Sequence, residues 1–175
     1  MIISNQNSKN VVLRTFTMSD AKQIVPLANN LNVSKNLTDA FPYPYTTDDA
    51  RDFIQKCLND DPPTKFAIEW KRKYIGNVGL LKQSDVHRKS AVIGYFIGEP
   101  YWNNGLATEA VRLLTKYAFD NFDVIRLYSG IYSYNRASQR VLEKCGFIRE
   151  GIFKQAIYKN KTYWDEIIYA KIKEN

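Results

Sequence analysis

Histidine is almost missing from this chain and cysteine is scarce: one His and two Cys stand among 175 residues. With one histidine there is no multi-histidine metal site, and Ser–His–Asp catalysis would rest on His87 alone. His87 sits in the polar, turn-like "KQSDVHRKS" and reads as incidental. Cys57 and Cys145 have neither metal-ligand spacing nor a disulfide framework, and each falls in a helical pattern. Buried free thiols and no metal are expected. Long apolar runs are lacking too, so no segment approaches the roughly 20 residues of a spanning helix. No charged-then-apolar leader opens the sequence, and a cytoplasmic protein without a membrane partner is expected. The net charge of +7 comes from scattered basic residues rather than a run. It suits an anionic small ligand, and without a recognition motif no nucleic-acid partner is expected. There is no repeat, linker or low-complexity segment, which predicts one domain over residues 1–175.

What is present alternates clearly. "VVLRTF" (residues 11–16) is β-branched and apolar, a first strand. "TMSD" offers a capping box from Thr17 to Asp20, opening a helix to about Asn30 through Pro26. A short helical piece over residues 32–37 precedes the corner "FPYPY". Thr46 and Asp49 repeat the capping box, and the helix they open puts Ala50, Phe53, Ile54, Cys57 and Leu58 on one face. "KFAIEW", "YIGNVGLL" and "SAVIGYFIG" then read as three strands. A helix from Gly105 or Leu106 to about Phe119 and the strand "VIRLYSGIY" follow. A second helix has Asn135 as N-cap and Gly146 as its stop, and two strands joined by "KNK" close the chain. The order predicts an α/β (α+β) three-layer sandwich. Its mixed, mainly antiparallel sheet has about seven strands, with one parallel pair around the β–α–β unit at Gly105.

The stretch "GEPYWNNGLATEAVRLL" carries the first chemistry. Two turn-forming asparagines and a glycine deliver the chain from a strand into a helix whose first N–H groups have no partner and whose dipole is positive. The amides from Trp102 through Asn103, Asn104, Gly105, Leu106, Ala107 and Thr108 can wrap a diphosphate, with the Thr108 hydroxyl added. The same residues also make an ordinary strand–helix turn.

"GEPYWNNGLATEAV" resembles the acyl-coenzyme A signature of the GNAT superfamily of N-acetyltransferases: Gln or Arg, two residues, Gly, one residue, Gly or Ala. Gly105 and Ala107 fit, whereas Trp102 stands in the Gln/Arg position. That departure is shared by the RimJ/RimL-like branch, whose members acetylate the N-termini of ribosomal proteins. "NRASQRVLEKCGFIREG" (residues 135–151) is similar to the branch's second hallmark, and the resemblance covers nearly the whole chain. It implies acetyl-CoA (coenzyme A) as cofactor and direct attack of a primary amine on the thioester. The acceptor would be a protein N-terminus or a small amine. Because members are often dimers, it leaves a homodimer open.

The resemblance also implies roles. Backbone groups of Phe96 and Ile97 would pair with the pantetheine arm, Asn135 would bond that arm, and Ser138 would give the leaving thiolate a proton. Lys144 and Arg140 point to the cofactor's phosphates or to a solvated helix face. Leu142 replaces the tyrosine acid of other branches. Ile157 stands where the ribosomal branch carries its carboxylate base, so Glu99 and Glu150 are the acidic candidates near the motifs. Each can equally be structural: Glu99 as a turn holder, Glu150 as an ion-pair partner. Phe41, Tyr43 and Tyr45 either wall the acceptor site or pack beneath the proline corner. Two other readings are kept. One is a polyamine or aminoglycoside acetyltransferase. The other is a non-catalytic acyl-CoA-binding or regulatory protein, favoured by the isoleucine at 157.

Overall fold

The computed structural model describes residues 1–4 and 10–174. Along the described chain run β1 (Ile2–Ser4), β2 (Val11–Arg14), α1 (Ala21–Ala28), α2 (Leu31–Ser34) and α3 (Thr47–Leu58). Then follow β3 (Lys65–Trp70), β4 (Lys73–Lys82), β5 (Ser90–Ile97), α4 (Leu106–Asn121), β6 (Arg126–Tyr132), α5 (Arg136–Lys144), β7 (Ile148–Lys159) and β8 (Thr162–Ile172). The strands form one eight-stranded mixed sheet in the order β1-β2-β3-β4-β5-β6-β8-β7. β5 and β6 are parallel, while β1–β2, β2–β3, β3–β4, β6–β8 and β7–β8 are antiparallel. The strand beyond the expected seven is β1, three residues long and too short to show an alternating pattern. Among the described residues no helix is long and apolar enough to cross a membrane.

By compactness the chain divides into two units, Met1–Gly79 with Tyr95–Leu114, and Leu80–Gly94 with Thr115–Asn175. In the first, β2 alternates with Val11 and Leu13 fully buried. Both capping boxes form. The Thr17 amide donates to Asp20 Oδ2 at 2.8 Å, and the Thr46 amide to Asp49 Oδ2 at 2.8 Å. A short 3-10 turn over Met18–Asp20 precedes α1. Along α3, Ala50, Ile54 and Cys57 turn inward with helical spacing, whereas Leu58, its last residue, is exposed. Burying a side chain such as Ile54 contributes about 2–3 kcal/mol.

Asp20 is a carboxylate 1% exposed, gripped by both terminal nitrogens of Arg14 at 2.7 and 2.8 Å. Arg14 Nε donates to Glu69 at 2.8 Å. Burial pushes the Asp20 carboxyl up, but bonds from Arg14 and Thr17 outweigh it and hold the group below its ordinary range. The Cys57 thiol is pushed up to about 11, chiefly by burial, and neither Cys57 nor the buried Cys145 of the second unit forms a disulfide.

In the second unit the parallel ladder runs from Ser90↔Arg126 to Val92↔Tyr128. β6 pairs along its whole length with β8. Leu127, Ser129 and Ile131 face α5 with their partners Lys171, Tyr169 and Ile167. Tyr169 Oη donates to Glu143 Oε1 at 3.1 Å, and Lys171 Nζ to the Cys145 carbonyl at 2.9 Å. Gly146, at φ +80°, ends α5 in the left-handed turn only glycine adopts cheaply. The β7–β8 hairpin turns at Asn160 and Lys161, both with positive φ.

Candidate active site

The glycine turn lies wholly in the first unit. β5 stops at Ile97, and a 3-10 turn over Glu99–Tyr101 carries the chain toward α4. The Gly98 amide donates to the Ile75 carbonyl at 2.9 Å. The Trp102 indole reaches back, its Nε1–H donating to the Ile97 carbonyl at 2.6 Å. Asn104 Nδ2 donates to the carbonyls of Trp102 at 2.9 Å and Tyr101 at 3.2 Å. Asn103 (φ +63°) and Gly105 (φ +75°) both enter the left-handed region, which asparagine tolerates and glycine adopts freely. Leu106 then opens a 16-residue helix. Its first amides have no partner within the helix and stand at the positive end of its dipole. The one acidic residue of that first turn, Glu109, is turned toward Arg112 at 3.7 Å.

Glu99 is clamped. Its two oxygens accept from Asn30 Nδ2 at 2.7 Å and Asn32 Nδ2 at 2.8 Å. Asn30 is the N-cap of α2, and its Oδ1 accepts from the Asn32 amide at 2.8 Å. Asn32 Oδ1 accepts from Lys35 Nζ at 2.8 Å. Neither amide can rotate to present its oxygen without losing a bond, so both aim donors at Glu99.

The end of β5 is set from the other side by Gly76 of β4. A Cβ there would stand 2.1 Å from the Phe96 carbonyl oxygen and 3.0 Å from the Ile97 Cα. Only a residue without a side chain allows the two backbones this approach. The Phe96 ring meets Phe41 edge-on at 5.7 Å, and Phe41 stacks on Tyr45 at 4.8 Å. Tyr45 is buried and Phe41 packs against the same cluster, while Tyr43 is exposed. Within this unit Phe96, Ile97, Glu99, Trp102, Asn103, Asn104, Gly105, Leu106, Ala107 and Thr108 therefore share one continuous connection.

The second unit carries the other expected residues. Asn135 caps α5: its Oδ1 accepts the Ser138 amide at 3.2 Å, and its own amide donates to the Tyr132 carbonyl at 2.8 Å. Ser138 stands half-buried in the first turn of α5, and Lys144 is exposed at its end. Glu150 is gripped by both terminal nitrogens of Arg126, whose hydrogen bonds hold its carboxyl below the ordinary range. It is an ion-pair partner of Arg126. Arg140 is paired with Glu143, and Ile157 lies opposite Trp164 in the hairpin.

Sequence reasoning missed Asn30, Asn32, Gly76 and Glu166. The first three act across 20 or more residues of separation, and no local pattern marks them. Glu166 sits in β8, where burial alone raises its carboxyl above the ordinary range.

A family model described as the acetyltransferase (GNAT) domain matches residues 10–148. The chain belongs to the GNAT acetyltransferase family. The uncharacterized N-acetyltransferase YnaD of Bacillus subtilis (strain 168) is 29% identical over 169 residues, covering 95% of this chain and 96% of YnaD. Spermidine N(1)-acetyltransferase of Escherichia coli (strain K12) is 27% identical over 162 residues, covering 92% and 85%. Among solved structures, RimL, a ribosomal L7/L12 alpha-N-protein acetyltransferase in complex with coenzyme A, superposes with a TM-score of 0.86. At 24% identity over 98% of each chain, that likeness shows the shared GNAT fold.

Proposed function

We propose that this GNAT acetyltransferase moves the acetyl group of acetyl-CoA onto a primary amine by direct attack. One observation carries the reading: the doubly left-handed turn at Asn103 and Gly105 that delivers the N-terminus of a 16-residue helix. The turn fits the coenzyme's diphosphate. Residues 102–105 are exposed, Gly105 and Ala107 keep side chains clear, and the amides at the helix start favour an anion. Trp102, Asn103, Asn104, Gly105, Leu106, Ala107 and Thr108 are the proposed diphosphate cradle. Backbone groups of Phe96 and Ile97 serve the pantetheine arm, the Ile97 carbonyl being held by the Trp102 indole. In the second unit Asn135 and Lys144 are proposed cofactor contacts, with Ser138 both a contact and the proton donor to the leaving thiolate.

Glu99 enters this reading as a positioning residue, not as the base that the sequence suggested. Both its oxygens already accept from asparagine amides, and those bonds tie the start of the cradle to α2. The uninterrupted family match over residues 10–148 supports a single acetyltransferase domain. As for the acceptor, one relative is named for spermidine and one structural neighbour for a ribosomal protein N-terminus. Both names share a primary amine, and that shared group is the acceptor class we assign. The test is calorimetric binding of coenzyme A together with thiol release from acetyl-CoA across a panel of peptides and amines. Amine-dependent release with an N-acetylated product supports the reading. Binding without transfer to any amine supports the non-catalytic alternative, which the isoleucine at 157 favours.

A further inference from the structure

β6 and β8 present two different faces. Leu127, Ser129 and Ile131 turn to α5, so by strand alternation Arg126, Tyr128, Gly130 and Tyr132 turn the other way, together with their β8 partners Ile172, Ala170, Ile168 and Glu166. On that second face the Glu166 carboxylate leans over Gly130. A Cβ at position 130 would stand 1.9 Å from Glu166 Oε1, so the glycine leaves a seat that the carboxylate fills. Tyr132 stands directly opposite Glu166 across the ladder. Trp164, two residues before Glu166 and on its face of β8, meets Tyr134 at 4.7 Å, and Tyr134 meets Tyr132 at 5.5 Å.

Among the described residues the Glu166 carboxylate makes no hydrogen bond and no ion pair, unlike the other carboxylates of this hairpin. Glu150 is bound to Arg126, and Asp165 to Lys154 and the Gln155 amide. The groups around Glu166 are Tyr132 on β6, Phe153 opposite it on β7 and Trp164 on β8. The other charged pairs of these strands, Arg126 with Glu150 and Lys154 with Asp165, are committed to each other. A half-buried carboxylate without a cation, beside aromatic rings, suits an incoming ammonium, which would supply its missing partner and lie against the rings.

We propose that Glu166 receives the acceptor's ammonium group and removes its proton. The inference rests on the acetyltransferase reading above and supplies the base for which position 157 has no carboxylate. The carboxylate takes one proton from R–NH3⁺, leaving a neutral amine whose lone pair forms the C–N bond to the acetyl carbon. The C–S bond breaks, the thiolate takes a proton, and the second nitrogen proton leaves to solvent as the amide forms. Burial holds the free carboxyl above its ordinary range, so it accepts a proton more readily than an exposed glutamate does.

The test uses the full-length protein labelled with 13C at glutamate carboxyls, with the Glu166 signal assigned by its loss in Glu166→Gln. Butylamine is the probe. Glu166 is expected to titrate above the ordinary glutamate range and to shift downward when butylammonium saturates the site. Gly130→Ala, which pushes the carboxylate off its seat without changing charge, should blunt that response. In turnover with acetyl-CoA and butylamine, Glu166→Gln should lower kcat/KM about 100-fold at neutral pH. It should also abolish the acid limb of the profile while leaving coenzyme A affinity unchanged. A Glu166 signal indifferent to butylammonium, or an unaltered acid limb in Glu166→Gln, overturns the proposal. A wild-type protein that fails to bind coenzyme A would overturn the acetyltransferase reading instead, and the butylamine titration would still decide whether Glu166 receives an ammonium.

Discussion

Replacing Glu99 with glutamine separates a clamp from a base. The carboxylate accepts from Asn30 and Asn32, whose amides are fixed by the Asn32 amide and by Lys35. In Glu99→Gln one oxygen becomes an NH2 group facing a donor that cannot turn away. One charge-assisted bond is lost outright and the other loses its charge. Bonds to charged groups contribute about 1.5–3 kcal/mol each, and for a half-exposed residue the expected loss is about 2 kcal/mol. With a urea slope of about 2 kcal/mol/M, the midpoint should fall by roughly 1 M. If the loosened turn must be re-formed when the cofactor binds, the same 2 kcal/mol weakens coenzyme A by up to about 30-fold. Urea unfolding, calorimetry with coenzyme A and the pH dependence of kcat read the three quantities. The clamp predicts lower stability, weaker binding and an unmoved pH profile. A loss of about 100-fold in kcat, with stability and cofactor affinity intact, would make Glu99 a proton acceptor and refute the reasoning.

Gly76→Ala should cost about 2 kcal/mol and lower Tm by roughly 4–8 °C, because its Cβ falls 2.1 Å from the Phe96 oxygen. Gly94→Ala, with nothing within 4 Å of its Cβ, is the control that should leave stability unharmed; equal losses in both would contradict the close-approach argument. Trp102→Phe removes the 2.6 Å bond to the Ile97 carbonyl and should weaken coenzyme A about 5-fold in calorimetry. Asp20→Asn breaks a buried pair and should cost about 3 kcal/mol at neutral pH. Because the folded carboxyl is held below its ordinary value of 3.8, that contribution is complete above the unfolded pKa and is lost as pH falls through the folded one. The gap between wild type and Asp20→Asn in urea should therefore be flat above about pH 5 and close in acid. A gap that widens in acid would reverse the sign.

Features determined within a few residues were legible from sequence. Thr17 with Asp20 and Thr46 with Asp49 form boxes three residues apart, Asn135 caps its own helix, and Gly105 and Gly146 take the positive φ that their places required. The three strands β3, β4 and β5 were readable because apolar, β-branched and aromatic runs stand between short polar turns. What escaped was set by distance along the chain. Asn30 and Asn32 meet Glu99 from 69 and 67 residues away. Gly76 looks like any strand glycine until the Phe96 carbonyl is brought against it. Glu166 reads as one of several charges in the closing hairpin, and only the β6–β8 register seats it over Gly130 opposite Tyr132. For Glu150 and Glu99 the sequence left both an acidic and a structural role open; what it did not show was their partners, Arg126 for the one and Asn30 with Asn32 for the other. β1 was missed because three residues cannot display a period.

The central claim is that the turn at Asn103 and Gly105 serves an enzyme that acetylates amines. The most direct measurement is thiol release from acetyl-CoA by the purified protein, with and without a panel of primary amines, the products weighed by mass spectrometry. The account predicts release that depends on at least one primary amine and matches, mole for mole, a product heavier by one acetyl group. Tight coenzyme A binding with no amine-dependent release across peptides, polyamines and simple alkylamines would contradict it.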